Sequence, residues 1–592
     1  MFCVYGKYLY EKPLRFITCF KSVEVLESLK EIQNDVRGFW VGYVCYEALD
    51  KIESKTPLLE FILFSERRRW NYGKSQEKDK RDFIFSLQQP FFYPNMQKNF
   101  SRSSYAKAFE SIKDELSAGN TYQVNFTQEL QLGSHCDGFA IFNELYKRQK
   151  TSYCCYFKSE FVEIISLSPE LFFKIKKRKI TFAPMKGTIK RGRSSKQDKQ
   201  LRRLLKSDPK GQSENLMIVD LLRNDMSKII KLGSLRIPKF LKILKFKTLF
   251  QMISILKARL KTSDLSEIFL AVFPCGSITG APKISTMRII NQLEDRDRGV
   301  YCGALGVIKG SKATFSVPIR TLSKTYQESF YRYGVGSGIV WESNCEEEFR
   351  ELQLKAQFLT PKLDFMLFET MLMYEDRIFL LHKHKKRLIN SAKALGFSTY
   401  KLQYLKEIKD IESPKNLALE DFLTSDFLKL ESLFMEIKEM PYFKDLQKHK
   451  RYSRVRLTLQ KNGDFTLMQD PLDSMLVNRV RIAKISLNSQ NDLLYHKTTL
   501  RAEYVIPDGY FDVLYFNERN ELCEGSRSNI ILFKNDQFLT PSLRCGMLCG
   551  TLREVLLECG ILKEQVLYKK DLENAKIFCM NSLRGVVPVE LA

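Results

Sequence analysis

FVEIISLSPELFFKIKKRKITFAPMKGT, residues 161–188, decides the fold class, because its apolar residues fall in short strand-like runs that reverse about a basic turn near Arg178. Such runs, rich in Ile, Val and Phe, read as strand. FVEIISLS and FFKI are therefore expected strands. SPELFFKIKKRKITFAPMKGT is expected to form two strands around the turn, which would put Glu170 and Lys186 at mirror positions across an antiparallel pair. Working outward, similar runs alternate with helical stretches in both halves, without the regular spacing of a doubly wound sheet. The predicted class is α+β.

The helical stretches carry their own pattern. CEEEFRELQLKAQFL, residues 345–359, places Glu348, Glu351 and Lys355 on one helical face and Phe349, Leu352 and Ala356 on a neighbouring apolar stripe. The bland reading of that face is a surface ion pair. At Pro361 the charged helix gives way to the short apolar run FMLFETMLM, and a domain boundary is placed there, giving domains 1–360 and 361–592. Beyond it, VRLTLQKNGDFTLM predicts a hairpin about Asn462-Gly463, because Asn-Gly favours the positive φ of a tight turn. RRRWNYGKSQEKDKRD, residues 67–82, reads as an exposed polar loop.

A chain of 592 residues exceeds what one core sustains. The formal charge of +26 is spread along the chain rather than gathered into a tail or stripe, so no nucleic-acid partner is expected; a basic balance suits small anionic substrates. The fourteen cysteines include no CxxC pair, and the five histidines do not complete zinc-ligand spacing, which points to reduced structural thiols. MFCVYGKYLYEKPLRF lacks the apolar centre of a signal peptide, and no run approaches about 18 consecutive apolar residues. A cytoplasmic protein with no membrane partner is the expectation.

GSITGAPKISTMRIINQLE, residues 276–294, joins a glycine-permitted turn to a helix that starts near Pro282 and carries Ile284, Met287 and Ile290. A helix start of this kind favours anions. With SPELFF, APMKGT, SENLMIVDLLRND, FPCGSITGAPK, RGVYCGALG, PIRTL and GVGSGIVWES in this order, residues 100–360 resemble the chorismate-binding enzymes, and GFWVGYVCYEALD resembles their N-terminal region. The resemblance implies a large α+β sandwich that binds chorismate through Mg²⁺. Glu214 and Glu351 match the metal positions, with Glu348 close enough to help through a water. Arg320 and Lys355 match residues that hold the substrate's carboxylates, backbone amides near Gly336 would assist, and Thr279 and Tyr301 fall among the substrate contacts.

Two positions speak to the subfamily. Lys186 in APMKGT resembles the aminodeoxychorismate synthases, where anthranilate synthases usually carry alanine. Its amine is thought to attack the ring while Glu170 protonates the departing hydroxyl. Gln123 in TYQVNFT stands where water-activating relatives place a lysine base, so the resemblance implies ammonia as nucleophile and a separate glutamine amidotransferase as partner.

HKHKKRLINSAKALGF predicts a helix on Leu388, Ala392 and Leu395. Followed by YHKTTLRAEY, CEGSRSNIILF, TPSLRCGMLCGTLREVLLECG and FCMNSLRGVVPV, it resembles the fold-type IV pyridoxal-phosphate enzymes, aminodeoxychorismate lyases among them. By that resemblance Lys497 is the Schiff-base lysine, Glu524 the partner of the pyridine nitrogen, and Arg387 and Ser582 phosphate contacts. Leu552, Val555, Leu556 and Cys559 share one helical face, and the amides of Thr551 and Leu552 would open that helix toward the phosphate. Such lyases usually show asparagine where this chain has Leu500. Fold-type IV relatives usually dimerise, which implies a homodimer through this half. Two consecutive steps toward 4-aminobenzoate are implied; an anthranilate-synthase-like enzyme fused to an aminotransferase is the alternative.

Overall fold

The computed structural model describes residues 1–70, 86–192, 194–245, 249–361, 363–374, 377–402, 409–411, 452–472 and 477–592. The chain forms two compact units. One comprises Met1–Asp79, Gln97–Gly133 and Ile141–Thr360, the other Lys80–Met96, Ser134–Ala140 and Pro361–Ala592. Most of the polar run expected as a loop at 67–82 lies outside the described residues; its start, residues 67–69, ends the strand Leu59–Arg69.

In the first unit eighteen strands join into one hydrogen-bonded network, with helices beside it. Gln123–Gly133 pairs antiparallel with Tyr331–Ile339 over nine residues, and that strand leads through Thr321–Thr325 and Val162–Ser168 to Tyr153–Lys158. Phe39–Val44 leads instead through Ala304–Lys309 and Lys312–Ser316 to Leu171–Lys176. The two runs share one core, where Tyr43 packs edge-on to Phe157 and Phe61, from the strand Leu59–Arg69 beside Phe39–Val44, packs edge-on to Phe315. Alternation supplies these contacts, since every second residue faces inward.

The turn at Arg178 forms between Lys176 and Lys179, with Lys177 and Arg178 both left-handed at φ 52° and 56°. The expected mirror pairing of Glu170 and Lys186 does not. A register shift between Phe182 and Ala183 puts Ala183 opposite Leu171, and Lys186 pairs with Met252 on Leu249–Arg259 instead. The helix after the glycine turn is Lys283–Leu293, capped by Pro282; Thr286, Ile289 and Ile290 face the core, whereas Ile284 is exposed. Its inward face is thus rotated from the apolar stripe expected.

The second unit holds a five-stranded sheet built on Leu367–Tyr374 and Tyr452–Leu459, and an eight-stranded sheet that includes Leu522–Gly525 and Asn529–Lys534. The helix Leu381–Leu395 buries Leu388, Ala392 and Leu395 as expected, and with them Lys383 and His384. The Asn462-Gly463 hairpin joins Tyr452–Leu459 to Phe465–Pro471. Gly463 has φ 91°, and a Cβ there would lie 2.9 Å from Ser398 Oγ. Left-handed backbone costs a non-glycine residue about 1–2 kcal/mol. Gly463→Ala should therefore lower the second unit's stability by about that much, read as an earlier denaturant midpoint; an unchanged midpoint would mean that the turn does not hold this conformation in solution.

Candidate functional site

Glu170 precedes the strand Leu171–Lys176 and is buried, its backbone fixed when its amide donates to Ser168 Oγ (3.2 Å) and its carbonyl accepts from the Val317 amide (3.2 Å). Ser277 joins it to Lys186. The Ser277 hydroxyl donates to Glu170 Oε1 (2.8 Å), and the Lys186 ammonium donates to the Ser277 carbonyl (3.2 Å). Burial pushes the Glu170 carboxyl above its ordinary range, opposed by the Ser277 hydrogen bond and by Lys186 and Lys355. A carboxyl that keeps its proton more readily is suited to donate it. The sequence reading missed Ser277; its only signal is its place within the GSITG turn.

Gln123 closes the same wall. Its side-chain amide is buried, and neither nitrogen nor oxygen has a hydrogen-bond partner among the described residues. It faces Gly338, where an added Cβ would lie 2.5 Å from Gln123 Nε2 and 3.9 Å from Lys186 Nζ. An orphaned buried amide costs about 1–3 kcal/mol, which a bound polar ligand would recover. Arg320, half-buried and left-handed at φ 52°, makes no ion pair with a described acid. Burial lowers its pKa. Lys355 donates to the Gly336 carbonyl (2.8 Å) and pairs with Glu351 (2.7 Å). Thr279 is engaged with its own turn, donating to the carbonyls of Cys275 and Gly276, and the Tyr301 ring lies against Gly334, where no Cβ would fit.

The helix Pro209–Ser227 supplies Glu214, and Cys345–Ala356 supplies Glu348 and Glu351. Glu348 is buried and accepts from Lys210 (2.5 Å) and Ser343 (2.7 Å). Burial raises the Glu214 carboxyl's pKa, Glu351 and Glu348 add to that by repulsion, and Lys186 and Lys210 oppose it. Lys355 holds Glu351 below its ordinary value. No three acidic, histidine or cysteine side chains stand close enough to hold an ion together among the described residues. The donors still suit Mg²⁺, which takes one or two carboxylates and keeps its waters, and a cation would relieve the repulsion at Glu214. Lys210, which now serves that purpose, was not foreseen.

The second unit contains a cavity of about 280 Å³ lined by Arg387, Lys497, Glu524, Thr551, Leu552 and Ser582, all expected there. Burial, with Arg387 nearby, pushes the Lys497 amine down to about 7. Glu524 accepts from Tyr504 Oη (2.7 Å) and the Leu548 amide (3.1 Å), and burial raises its pKa. The helix Thr551–Glu558 starts at Gly550 with no side-chain cap, leaving its first amides facing the cavity. Of the expected stripe only Leu556 is buried; Thr551 and Arg553 share the interior with it, Arg553 pairing with Glu564 (2.6 Å) and the Pro541 carbonyl (2.7 Å). Leu500 packs with the core around Leu388 and is not among the lining residues, so this departure from the lyase pattern does not reach the cavity wall.

Arg387 is not free to meet a phosphate with its whole guanidinium. Glu369, buried in Leu367–Tyr374, accepts from Arg387 Nε (2.9 Å) and Nη2 (2.5 Å) and meets His384 Nδ1 (2.8 Å). Beside it, His384 Nε2 lies 2.9 Å from Ser582 Oγ and 3.4 Å from Thr551 Oγ1. Arg387, Ser582 and the uncapped helix start line one side of the cavity and suit a phosphate, with His384 behind them holding Ser582, while an amine, Lys497, and a carboxyl, Glu524, line the same cavity. The residues fit pyridoxal phosphate.

Comparison with known proteins agrees. Residues 6–361 match the family described as chorismate binding enzyme, and residues 366–592 match amino-transferase class IV. The chain is 34% identical over 257 residues to aminodeoxychorismate synthase component 1 of Salmonella typhimurium, covering 43% of this chain and 56% of that protein. It is 32% identical over 267 residues to anthranilate synthase component 1 of Bacillus caldotenax, covering 45% and 52% respectively. The chain thus spans about half the length of these curated relatives. A crystal structure of anthranilate synthase component I from Streptococcus pneumoniae aligns with 60% of this chain and 92% of its own at a TM-score of 0.51 and 22% identity, which speaks to fold alone.

Labelling of Lys497 in the cofactor-free chain by an aldehyde, trapped with borohydride and located by peptide mapping, should rise with pH and reach half its plateau near pH 7. The neutral amine is the reactive form, so the rise tracks proton loss. A half-rise at the ordinary lysine value of about 10.4 would show that the amine is not buried in solution.

Proposed function

The chain belongs to the chorismate binding enzymes, with a class IV aminotransferase domain after them, and from that premise we propose two consecutive steps of 4-aminobenzoate synthesis for folate. Residues 1–360 aminate chorismate to 4-amino-4-deoxychorismate, and residues 361–592 eliminate pyruvate from that product. The observation that carries the first step is the pair of hydrogen bonds on Ser277, which brings an amine and a protonatable carboxyl to one wall, next to the unpartnered amide of Gln123.

In the first step the Lys186 amine forms a bond to the ring as the hydroxyl leaves with a proton from Glu170, and ammonia then displaces the lysine. Glutamine at 123 cannot take a proton from water, which favours ammonia, supplied by a glutamine amidotransferase partner. Arg320 and Lys355 hold the carboxylates of chorismate, Gly336, Thr279 and Tyr301 shape the site, and Glu214 and Glu351 hold Mg²⁺ with help from Glu348.

In the second step pyridoxal phosphate, when bound, supplies an electron sink for breaking the bond to pyruvate. Lys497 would hold it and could then move the substrate's ring proton, Glu524 would partner its nitrogen, and Arg387, Ser582 and the amides of Thr551 and Leu552 would hold its phosphate. Leu500, half-buried against the core around Leu388, is not among the residues lining the cavity, so its departure from the lyase pattern does not count against this reading. A homodimer through this half and a cytoplasmic setting complete the proposal.

Purified chain given chorismate, Mg²⁺, pyridoxal phosphate and ammonium, without a keto acid, should yield 4-aminobenzoate and pyruvate, identified by mass and fluorescence. Anthranilate would overturn the role of Lys186, and aminodeoxychorismate that persists would keep the synthase and make the second half an aminotransferase or an inactive remnant. Lys186→Ala should abolish amination while added aminodeoxychorismate is still cleaved; full 4-aminobenzoate synthesis by that variant would sink the covalent step. Lys497→Ala should let aminodeoxychorismate accumulate, and unchanged pyruvate release would mean that another lysine carries the cofactor.

A further inference from the structure

Two short segments that lie hundreds of residues before Lys497 belong to the unit that contains it: Lys80–Met96, described from residue 86, and Ser134–Ala140. Both converge on the turn Asp492–Tyr495, which ends two residues before Lys497. Asp492 is buried there, and its carboxylate gathers three donors from the two segments. Oδ2 accepts from the Tyr93 amide (2.9 Å) and Ser134 Oγ (2.8 Å), and Oδ1 accepts from the His135 amide (2.6 Å). The backbones join as well, the Phe91 amide donating to the Gln490 carbonyl (3.1 Å) and the Asp492 amide to the Phe91 carbonyl (3.1 Å).

Packing repeats the pattern. Leu87 shares a core cluster with Leu494, Phe91 and Tyr93 share another with Leu493, and the His135 ring stacks on Tyr495 at 3.4 Å and 9°. Past the turn the chain stays held: His496 Nδ1 lies 3.0 Å from Ser391 Oγ, and the Lys497 carbonyl accepts from the Phe368 amide (3.0 Å). The turn does not need Asp492 for its own closure, because Asn491 caps it by accepting from the Leu493 amide (3.1 Å). The Asp492 carboxylate is thus turned outward to the two distant segments.

We propose that residues 86–96 and 134–140 clasp the lysine-bearing turn, and that Asp492, at the centre of the clasp, is a positioning residue that sets where the Lys497 amine meets the cofactor. The proposal rests on the reading of Lys497 as the cofactor lysine. Removing the carboxylate leaves the buried Tyr93 amide and the part-buried His135 amide and Ser134 hydroxyl without their acceptor, so the segments part from the turn and water reaches the lysine. The catalytic machinery of residues 361–592 is therefore completed by chain that precedes the family boundary.

The test uses the full chain. Asp492→Ala should weaken pyridoxal phosphate capture, followed by absorbance titration, roughly tenfold or more, the scale expected from lost hydrogen bonds to a charged group. It should also move the half-rise of Lys497 labelling upward from about pH 7 and speed hydrogen exchange of the amides at 493–497 in the cofactor-free protein, with chorismate amination unchanged. Asp492→Asn, which keeps one acceptor oxygen, should recover part of the loss. If Asp492→Ala does not fold, Ser134→Ala removes one of the three bonds and should shift labelling and exchange in the same direction by less. Labelling and exchange that match the unmodified chain in the variant that folds would overturn the clasp. A lower melting temperature with an unmoved labelling profile would make Asp492 structural only, which also overturns it. An unmodified chain that captures no pyridoxal phosphate would overturn both the clasp and the cofactor reading beneath it.

Discussion

Glu369 accepts two hydrogen bonds from Arg387 and meets His384 while only 2% of its surface remains exposed, and the cofactor cavity is arranged around that buried charge. A carboxylate taken from water without partners would cost several kcal/mol or take up a proton. Here the guanidinium and the imidazole keep it well below the ordinary carboxylate range. The arrangement fixes the helix Leu381–Leu395 against the strand Leu367–Tyr374 and orients His384 toward Ser582 and Thr551. The same low-dielectric interior, with Arg387 as a cationic neighbour, drives the Lys497 amine toward neutrality. Glu369 opposes that drift, so burial and Arg387 together outweigh it at the lysine.

The first unit solves a related problem with more members. Glu170, Glu214, Glu348 and Glu351 draw in Lys186, Lys210 and Lys355, so carboxylates and amines alternate rather than form isolated pairs. Ser277 is the neutral hinge of this set, since its hydroxyl serves the acid and its carbonyl the amine. Gln123 stands outside the network, uncharged and without a hydrogen-bond partner among the described residues, and so marks a place where a ligand's polar group would be satisfied.

What the sequence disclosed follows from how local each signal is. The hairpin at Asn462-Gly463, the helix on Leu388, Ala392 and Leu395 and the strands at 162–176 depend on neighbours within a few residues, and they form as read. Lys497, Glu524, Arg387, Thr551, Leu552 and Ser582, named by resemblance to the fold-type IV enzymes rather than by periodicity, line one cavity. The mirror relation of Glu170 and Lys186 failed for a local reason with a distant effect, as one shift at Phe182 and Ala183 sends Lys186 to another strand. Glu369 was overlooked because an acid in the apolar run FETML looks like an outward position of a strand, and Arg553 because a buried guanidinium is recognisable only once Glu564 is seen beside it.

Asp492 lies further still from anything periodicity reports, since its three donors come from positions 357 to 399 residues earlier. Family similarity ends one match at 361 and begins the next at 366, where the residues that touch ligands change from one set to the other. Packing divides the chain differently, because a turn that must hold a lysine still needs apolar cover and hydrogen-bond acceptors from wherever the chain can supply them. Residues 86–96 and 134–140 provide that cover within the second unit. A functional boundary and a folding boundary are thus separate properties of this chain, and the turn before Lys497 is where they part.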